Sequence, residues 1–242
     1  MSVQLPVRVR GQAPRTSGDR VRSGVRTAGE LLLTAGVLLL LLCVYELGWT
    51  NIEAGRAESA LRTQIDADFA AAPVGAGKEQ EVVPDPRPGQ GFAFMYIPRL
   101  RDKVWAAPIV EGTTKDDLRG AVGHYVSTVM PGQVGNFAVA AHRATNGELF
   151  RDIDALRPGD KVYVETATTW YVYQLSSDQI VKPTQTSVIL PVPNKPDVKP
   201  TERLITLTTC HPRWASYERW IWYGGLVGKL PKSEGNPPGL ER

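Results

Sequence analysis

The chain has 242 residues, 42% of them hydrophobic, with 28 Lys and Arg against 25 Asp and Glu for a formal net charge of +3. That length suits one folded domain of about 100 to 200 residues with appendages. Arg8, Arg10, Arg15, Arg20, Arg22 and Arg26 fall in the first 30 residues against only Asp19 and Glu30. The excess charge is therefore local, which excludes a nucleic-acid partner read by a basic folded face.

Residues 1–29 form this basic segment. The run Leu31–Tyr45 is almost purely apolar and extends through Leu47 to Trp49 if Glu46 lies at headgroup depth. A transmembrane anchor is thus expected over residues 30–49, close to the roughly 20 residues a bilayer requires. Arginines before it and Trp49 after it predict a cytoplasmic N-terminus, with all that follows residue 50 extracytoplasmic. A cleaved signal peptide, with Ala54, Ala57 and Ala60 downstream, is the rival reading; the run exceeds the usual h-region of about 7 to 15 residues, which favours an uncleaved anchor.

From Asn51 to Ala71, Ile52, Ala57, Ala60, Leu61, Ile65 and Phe69 recur at helical spacing among charged residues. An amphipathic juxtamembrane helix acting as a stalk is expected. A Pro- and Gly-rich linker follows to residue 90, completing a 50–90 connector, since no apolar period there can build an element. Residues 91–231 read as the folded domain and 232–242 as a flexible tail.

Within the domain, short apolar runs alternate with turn signals at Met130–Gln133, Arg157–Asp160, Ser176–Asp178 and Pro191–Pro200. Strands are predicted at Phe92–Ile97, Val104–Ile109, Asn136–Ala141, Lys161–Thr166, Trp170–Leu175, Leu204–Cys210 and Trp220–Val227. Helical turns are expected at Thr114–Arg119 and Glu148–Ile153. Seven or eight strands suggest a mainly β fold closed into a barrel, which removes exposed edges; periodicity alone does not separate a barrel from a sandwich.

The chain has two cysteines, Cys43 and Cys210. Cys43 falls in the apolar run, so a disulfide between them is implausible. An unpaired thiol in an oxidising compartment is a liability unless it has work to do, which singles out Cys210. A thiol nucleophile needs an acid/base partner and a donor for the developing oxyanion. Of the three histidines, His142 ends a strand whose same-face residues Ala138 and Ala140 are small; Cys210 shares a face with Thr206 and Thr208. If the strand from Leu204 pairs as a hairpin with the run Arg219–Tyr223, Arg219 becomes a neighbour of Cys210, and its guanidinium suits an oxyanion. His124 precedes a turn and is expected to cap or fill a gap. A zinc site from Cys210, His211, His142 and His124 lacks paired ligand spacings, so no metal is expected.

The run Thr206–Pro212 with Arg219 resembles the TLxTC signature and catalytic arginine of the sortases, most closely the class E group. Gly123–Tyr125, Met130–Asn136 and Ala138–Arg143 resemble the segment leading to that family's catalytic histidine. Gly147 to Phe150, Pro158–Asp160 with Val162, and Tyr173–Leu175 to Val181–Pro183 fit as well, so the likeness covers about 91–229. Many relatives carry Gly where this chain has Ala141, and the added methyl is expected to narrow the site.

The resemblance implies an eight-stranded sortase-type β-barrel with Cys210 as nucleophile, His142 as acid/base and Arg219 as substrate or oxyanion stabiliser. Thr208, Thr209, Arg143 and Tyr125 become candidate substrate-binding residues. It implies transfer of surface proteins bearing a C-terminal Leu-x-x-Thr-Gly-like signal, with Ala favoured over Pro at its second position, to a lipid II-like cell-wall precursor amine. No cofactor is implied. Two other readings are a tethered, non-catalytic β-domain that binds a partner, and an L,D-type cysteine transpeptidase, whose His-Gly-Cys motif this chain lacks.

Overall fold

The computed structural model describes residues 17–72 and 85–240, and the chain divides into two units, Met1–Glu46 and Leu47–Arg242. Arg8, Arg10 and Arg15 lie outside the described residues. In the first unit, α1 (Ser17–Val44) contains a stretch, Arg20–Val44, long and apolar enough to cross a bilayer, with its apolar window wholly unburied. Thr27 and Thr34 donate to the carbonyls of Ser23 and Glu30 at 3.0 and 2.9 Å, local satisfaction that a helix in hydrocarbon requires. Helical structure begins well before residue 30 and gives way at Tyr45–Trp49 to a π-helical turn. The apolar run lies within this helix, which also covers the polar residues before residue 30, while residues 45–49 of the expected anchor fall in the π-helical turn.

The second unit is built on a closed barrel of eight strands in the order β1-β2-β3-β4-β7-β8-β6-β5. These are β1 (Gly91–Tyr96), β2 (Ala107–Glu111), β3 (Val122–His124), β4 (Gly135–Ala140), β5 (Lys161–Glu165), β6 (Thr169–Val181), β7 (Arg203–His211) and β8 (Glu218–Pro231). Pairings β2–β3 and β4–β7 are parallel and the others antiparallel. Alternation turns Phe137 and Val139 of β4, Ile205 and Leu207 of β7, and Trp222 of β8 into one apolar core with Met95, Ile109 and Tyr173. Phe137 stacks between His124 and Tyr173, at centroid distances of 5.1 and 6.5 Å.

Several local expectations change. Strand β3 has only three residues, Val122–His124, too few to display an alternation. The Ser176–Asp178 signal is no turn: β6 runs through it, with a register shift between Leu175 and Ser177 against β8. The long partner strand supplies the ladder that overrides the turn-prone residues, and Asp178 accepts a 2.8 Å bond from Trp220 Nε1. The helical turn expected at Glu148–Ile153 forms later, as a 3-10 turn at Ile153–Ala155.

Helix α2 (Thr50–Ala71), the segment read as a stalk, lies against the barrel because its apolar positions have somewhere to go. Ala54 and Ile65 are buried, and Phe69 meets Phe94 edge-on at 5.6 Å. The Gln64 side chain bonds both the N–H and the carbonyl of Gly91, at 3.2 and 3.0 Å. The linker is described only from residue 85, where Gly89 N–H donates to Glu111 O at 2.7 Å and prolongs the β1–β2 ladder. The tail expected to be flexible also packs: Leu240 is buried with Tyr163 and Trp170, and Tyr163 donates to Pro238 O at 2.9 Å. The apolar Leu240 and the nearby Pro237 and Pro238 favour docking over a solvated excursion.

Phe137 is fully buried, so Phe137→Ala should lower unfolding stability by about 3 to 5 kcal/mol, read as a shift in the urea midpoint at unchanged m-value.

Candidate active site

Strand pairing sets the geometry of the site. β4 and β7 run parallel with Ala140 level with Thr208, and Ala141 N–H still donates to Thr208 O at 3.2 Å. Two residues beyond that pair on each chain come His142 and Cys210. On the other side of β7, antiparallel β8 places Arg219 opposite Cys210. The three residues therefore occupy one row across β4, β7 and β8, each about 5 Å from the next at the backbone. All three share the face away from the core, since Phe137, Val139 and Ala141, Ile205 and Leu207, and Trp222 fill the other. Ala141 thus points its methyl into the core, and the expectation that it narrows the site is overturned.

Cys210 is half-buried and unpaired. His142 Nε2 is buried with no hydrogen-bond partner among the described residues. Buried polar atoms are nearly always satisfied, so this nitrogen is available to a further hydrogen-bond partner. Burial, aided by the positive charge of Lys115, holds the imidazole below its ordinary value of 6.5. Arg219 Nη1 donates to Ser216 O and Glu218 O at 2.8 and 2.9 Å. Those bonds pin the guanidinium to its own loop; Nε and Nη2 make no hydrogen bond among the described residues.

The remaining candidates separate by face. Thr208 lies outward, one strand period from Cys210; its hydroxyl donates to Val139 O at 3.1 Å and meets the Tyr125 hydroxyl at 3.0 Å. Both therefore border the row. Thr209 points the other way and donates to Ala141 O at 2.7 Å, fastening β7 to the residue before His142. Arg143 is only 5% exposed; it pairs with Asp154 at 3.3 Å, donates to His211 Nδ1 at 3.1 Å and to Arg151 O at 3.4 Å, and lies 5.0 Å from the Trp220 ring centre. With its donors committed beneath the sheet, it does not reach the outer face. Because Arg143 only donates, His211 accepts at Nδ1 and carries its proton on Nε2.

His124 is nearly fully buried and bonded at both nitrogens, to Glu111 Oε2 at 2.7 Å, Thr128 Oγ1 at 2.9 Å and Val129 O at 3.2 Å. It fills a gap in the core and fixes the turn that carries Tyr125. The described residues contain no group of His, Cys, Asp and Glu arranged to hold a metal. The mutual contacts of Arg143, His211 and Trp220 and the charge of Lys115 near His142 have no signal in the sequence, because contacts across 68 residues, as between Arg143 and His211, leave no local pattern.

The closed barrel brings a thiol, an imidazole and a guanidinium into one outward row, and comparison with known proteins gives its family. A sequence profile of the Sortase domain matches residues 95–227. The chain is 40% identical over 223 residues to Sortase SrtE1 of Streptomyces coelicolor, covering 89% of this chain but only 60% of that protein. It is 33% identical to Sortase SrtE2 of the same organism, covering 94% and 92%. The crystal structure of Sortase E1 from Streptomyces coelicolor with a tripeptide in the active site superposes with a TM-score of 0.59 at 42% identity, over 64% of this chain and 99% of that one. The chain belongs to the sortase family of cysteine transpeptidases and is most similar to its class E members.

Lys115 lowers the His142 pKa by like-charge repulsion, so Lys115→Gln should move the His142 titration to higher pH, read by imidazole NMR. The shift should shrink with added salt, because the lysine is exposed. An unmoved titration in low salt would show that burial alone sets the value.

Proposed function

We propose that this chain is a membrane-anchored sortase that joins proteins bearing a C-terminal sorting signal to a cell-wall amine, with Cys210 as nucleophile. The shared register of His142, Cys210 and Arg219 carries this reading. The Cys210 thiolate attacks the carbonyl carbon of the signal's Thr–Gly bond, and a C–S bond forms as the carbonyl oxygen takes negative charge. The guanidinium N–H groups of Arg219 stabilise that oxygen. Collapse breaks the C–N bond, the departing nitrogen takes the proton of His142, and a thioester remains. Neutral His142 then removes a proton from the incoming amine, whose nitrogen attacks the thioester and releases the thiolate.

The substrate class follows from the family, whose members act on sorting signals and amine acceptors; the likeness to class E favours Leu-Ala-x-Thr-Gly over Leu-Pro-x-Thr-Gly. A lipid II-like stem peptide is the proposed acceptor. Thr208 and Tyr125 line the outward face beside Cys210 and are proposed to contact the signal peptide, whereas Thr209 and Arg143 shape the site from the core side. That a relative, Sortase E1, has been solved with a tripeptide in its active site supports a peptide-binding role for the matching face. Residues 1–29 are proposed to lie in the cytoplasm and the apolar helix to anchor the chain, with the barrel outside the cell, as the arginines before that helix favour.

Full-length protein in detergent should cleave a fluorogenic Leu-Ala-x-Thr-Gly peptide, and Cys210→Ala should abolish cleavage. Arg219→Ala should lower kcat by about 10² to 10³ with a smaller change in KM, as loss of an oxyanion donor does. Equal cleavage by the wild type and the Cys210→Ala variant would end the assignment of the nucleophile.

A further inference from the structure

The start of α2 bonds the loop that follows His142, and through one carboxylate of that loop it is linked to the loop between Cys210 and Arg219. Asn51, two residues into the helix, accepts the Gly147 N–H on Oδ1 at 2.9 Å and donates from Nδ2 to Glu148 Oε1 at 3.1 Å. Gly147 and Glu148 belong to the β4–β5 loop that leaves His142. The other Glu148 oxygen accepts Arg213 Nη2 at 3.3 Å, and Arg213 lies on the loop between Cys210 and Arg219. One carboxylate, only 7% exposed, therefore links the helix, the histidine loop and the cysteine loop.

Two further features show that the contact is built. Asn146, Gly147 and Glu148 are three consecutive residues in left-handed backbone, with φ of 53°, 96° and 52°. A glutamate seldom adopts that region, and a strained segment persists only where its surroundings over-determine it. The helix also approaches so closely that only glycine fits beneath it: a Cβ on Gly120 would stand 2.2 Å from Ala54 O. Gly120 N–H in turn donates to Asn146 O at 3.1 Å, so helix, glycine and strained loop form one stack.

We infer that Asn51 and Glu148 are positioning residues for the transpeptidation. They clamp the membrane-proximal end of α2 onto the two loops that hold His142 and Arg219 in line with Cys210. This rests on the sortase reading above for its chemistry, though not for its geometry. Displacement of a catalytic group by about 1 Å costs up to about 10²-fold in rate, so loosening either loop lowers turnover more than substrate affinity.

The test uses the full-length protein in lipid nanodiscs, carrying Cys43→Ala so that Cys210 is the sole thiol. Asn51→Ala and Glu148→Gln should each lower kcat for sorting-peptide cleavage about tenfold, with KM within about twofold and little change in the thermal midpoint. Asn51→Asp should be worse, because it faces a second carboxylate. Combining Asn51→Asp with Glu148→Gln should recover most of kcat. The new carboxylate still accepts from Gly147 and also accepts from the new amide, whose oxygen turns to Arg213. A merely structural contact would not give loss and recovery in kcat at constant midpoint.

Single variants with wild-type kcat, or a paired variant no better than Asn51→Asp alone, would overturn the clamp. The rate of Cys210 alkylation by iodoacetamide provides a readout independent of substrate. Should the parent protein fail to cleave any sorting peptide, the functional reading fails, while the same pattern of change and recovery in alkylation still decides the clamp.

Discussion

The parallel pairing of β4 with β7 is the constraint on which the site depends. Parallel neighbours point in one direction, so both strands deliver their last residues to the same end of the barrel, and His142 arrives beside Cys210 with no intervening turn. The antiparallel return of β8 then sets its first residues against the last of β7, which brings Arg219 to the other side of the sulfur. An antiparallel β4–β7 pair would have placed the histidine at the far end of the barrel, six or more residues away at about 3.3 Å each. The register is itself protected by burial: a slip of one residue would turn Phe137, Val139, Ile205 and Leu207 out of the core.

The same alternation divides labour within each strand. Inward residues of β4 and β7 supply core, and Thr209 on that side spends its hydroxyl on Ala141 O. Outward residues are small or polar, Ala138, Ala140, Thr206 and Thr208, and Thr206 and Thr208 spend their hydroxyls on Asn136 Oδ1 and Val139 O. Arg143 and His211 immediately follow His142 and Cys210 and point beneath the sheet, where they bond each other at 3.1 Å. The chain after His142 and the chain after Cys210 are thus tied together one residue past the site, which limits how far the imidazole and the sulfur can drift apart.

Much of this was legible in the sequence because strand alternation is a period-2 property of short segments. The faces of Phe137 to His142 and of Thr206 to Cys210 could be assigned from the residues alone, and the hairpin joining Cys210 to Arg219 followed from its length and turn-prone composition. What escaped was whatever depends on partners distant in sequence. β3 owes its existence to neighbours on both sides, the polar Ser176–Asp178 becomes strand because β8 continues past it, and α2 docks because the barrel offers a face that its Ala54 and Ile65 fit. Arg143, a candidate for substrate binding by sequence, bonds His211 and Asp154 instead of lying free beside His142, a placement no local pattern reveals.

Burial of His142 sets two requirements against each other. Desolvation disfavours the imidazolium, so near neutral pH the protonated form that the leaving amine needs is the minor one. The same burial makes each imidazolium a stronger acid, and proton transfer in the transition state gains from that driving force. Efficiency in general acid catalysis depends on the product of population and acidity, so the two effects oppose each other in the proposed first step, while the proposed second step, in which neutral imidazole accepts a proton, gains from the neutral form. In the proposed turnover the histidine serves as acid and then as base, and its burial just beyond β4 favours the neutral form that the second step uses.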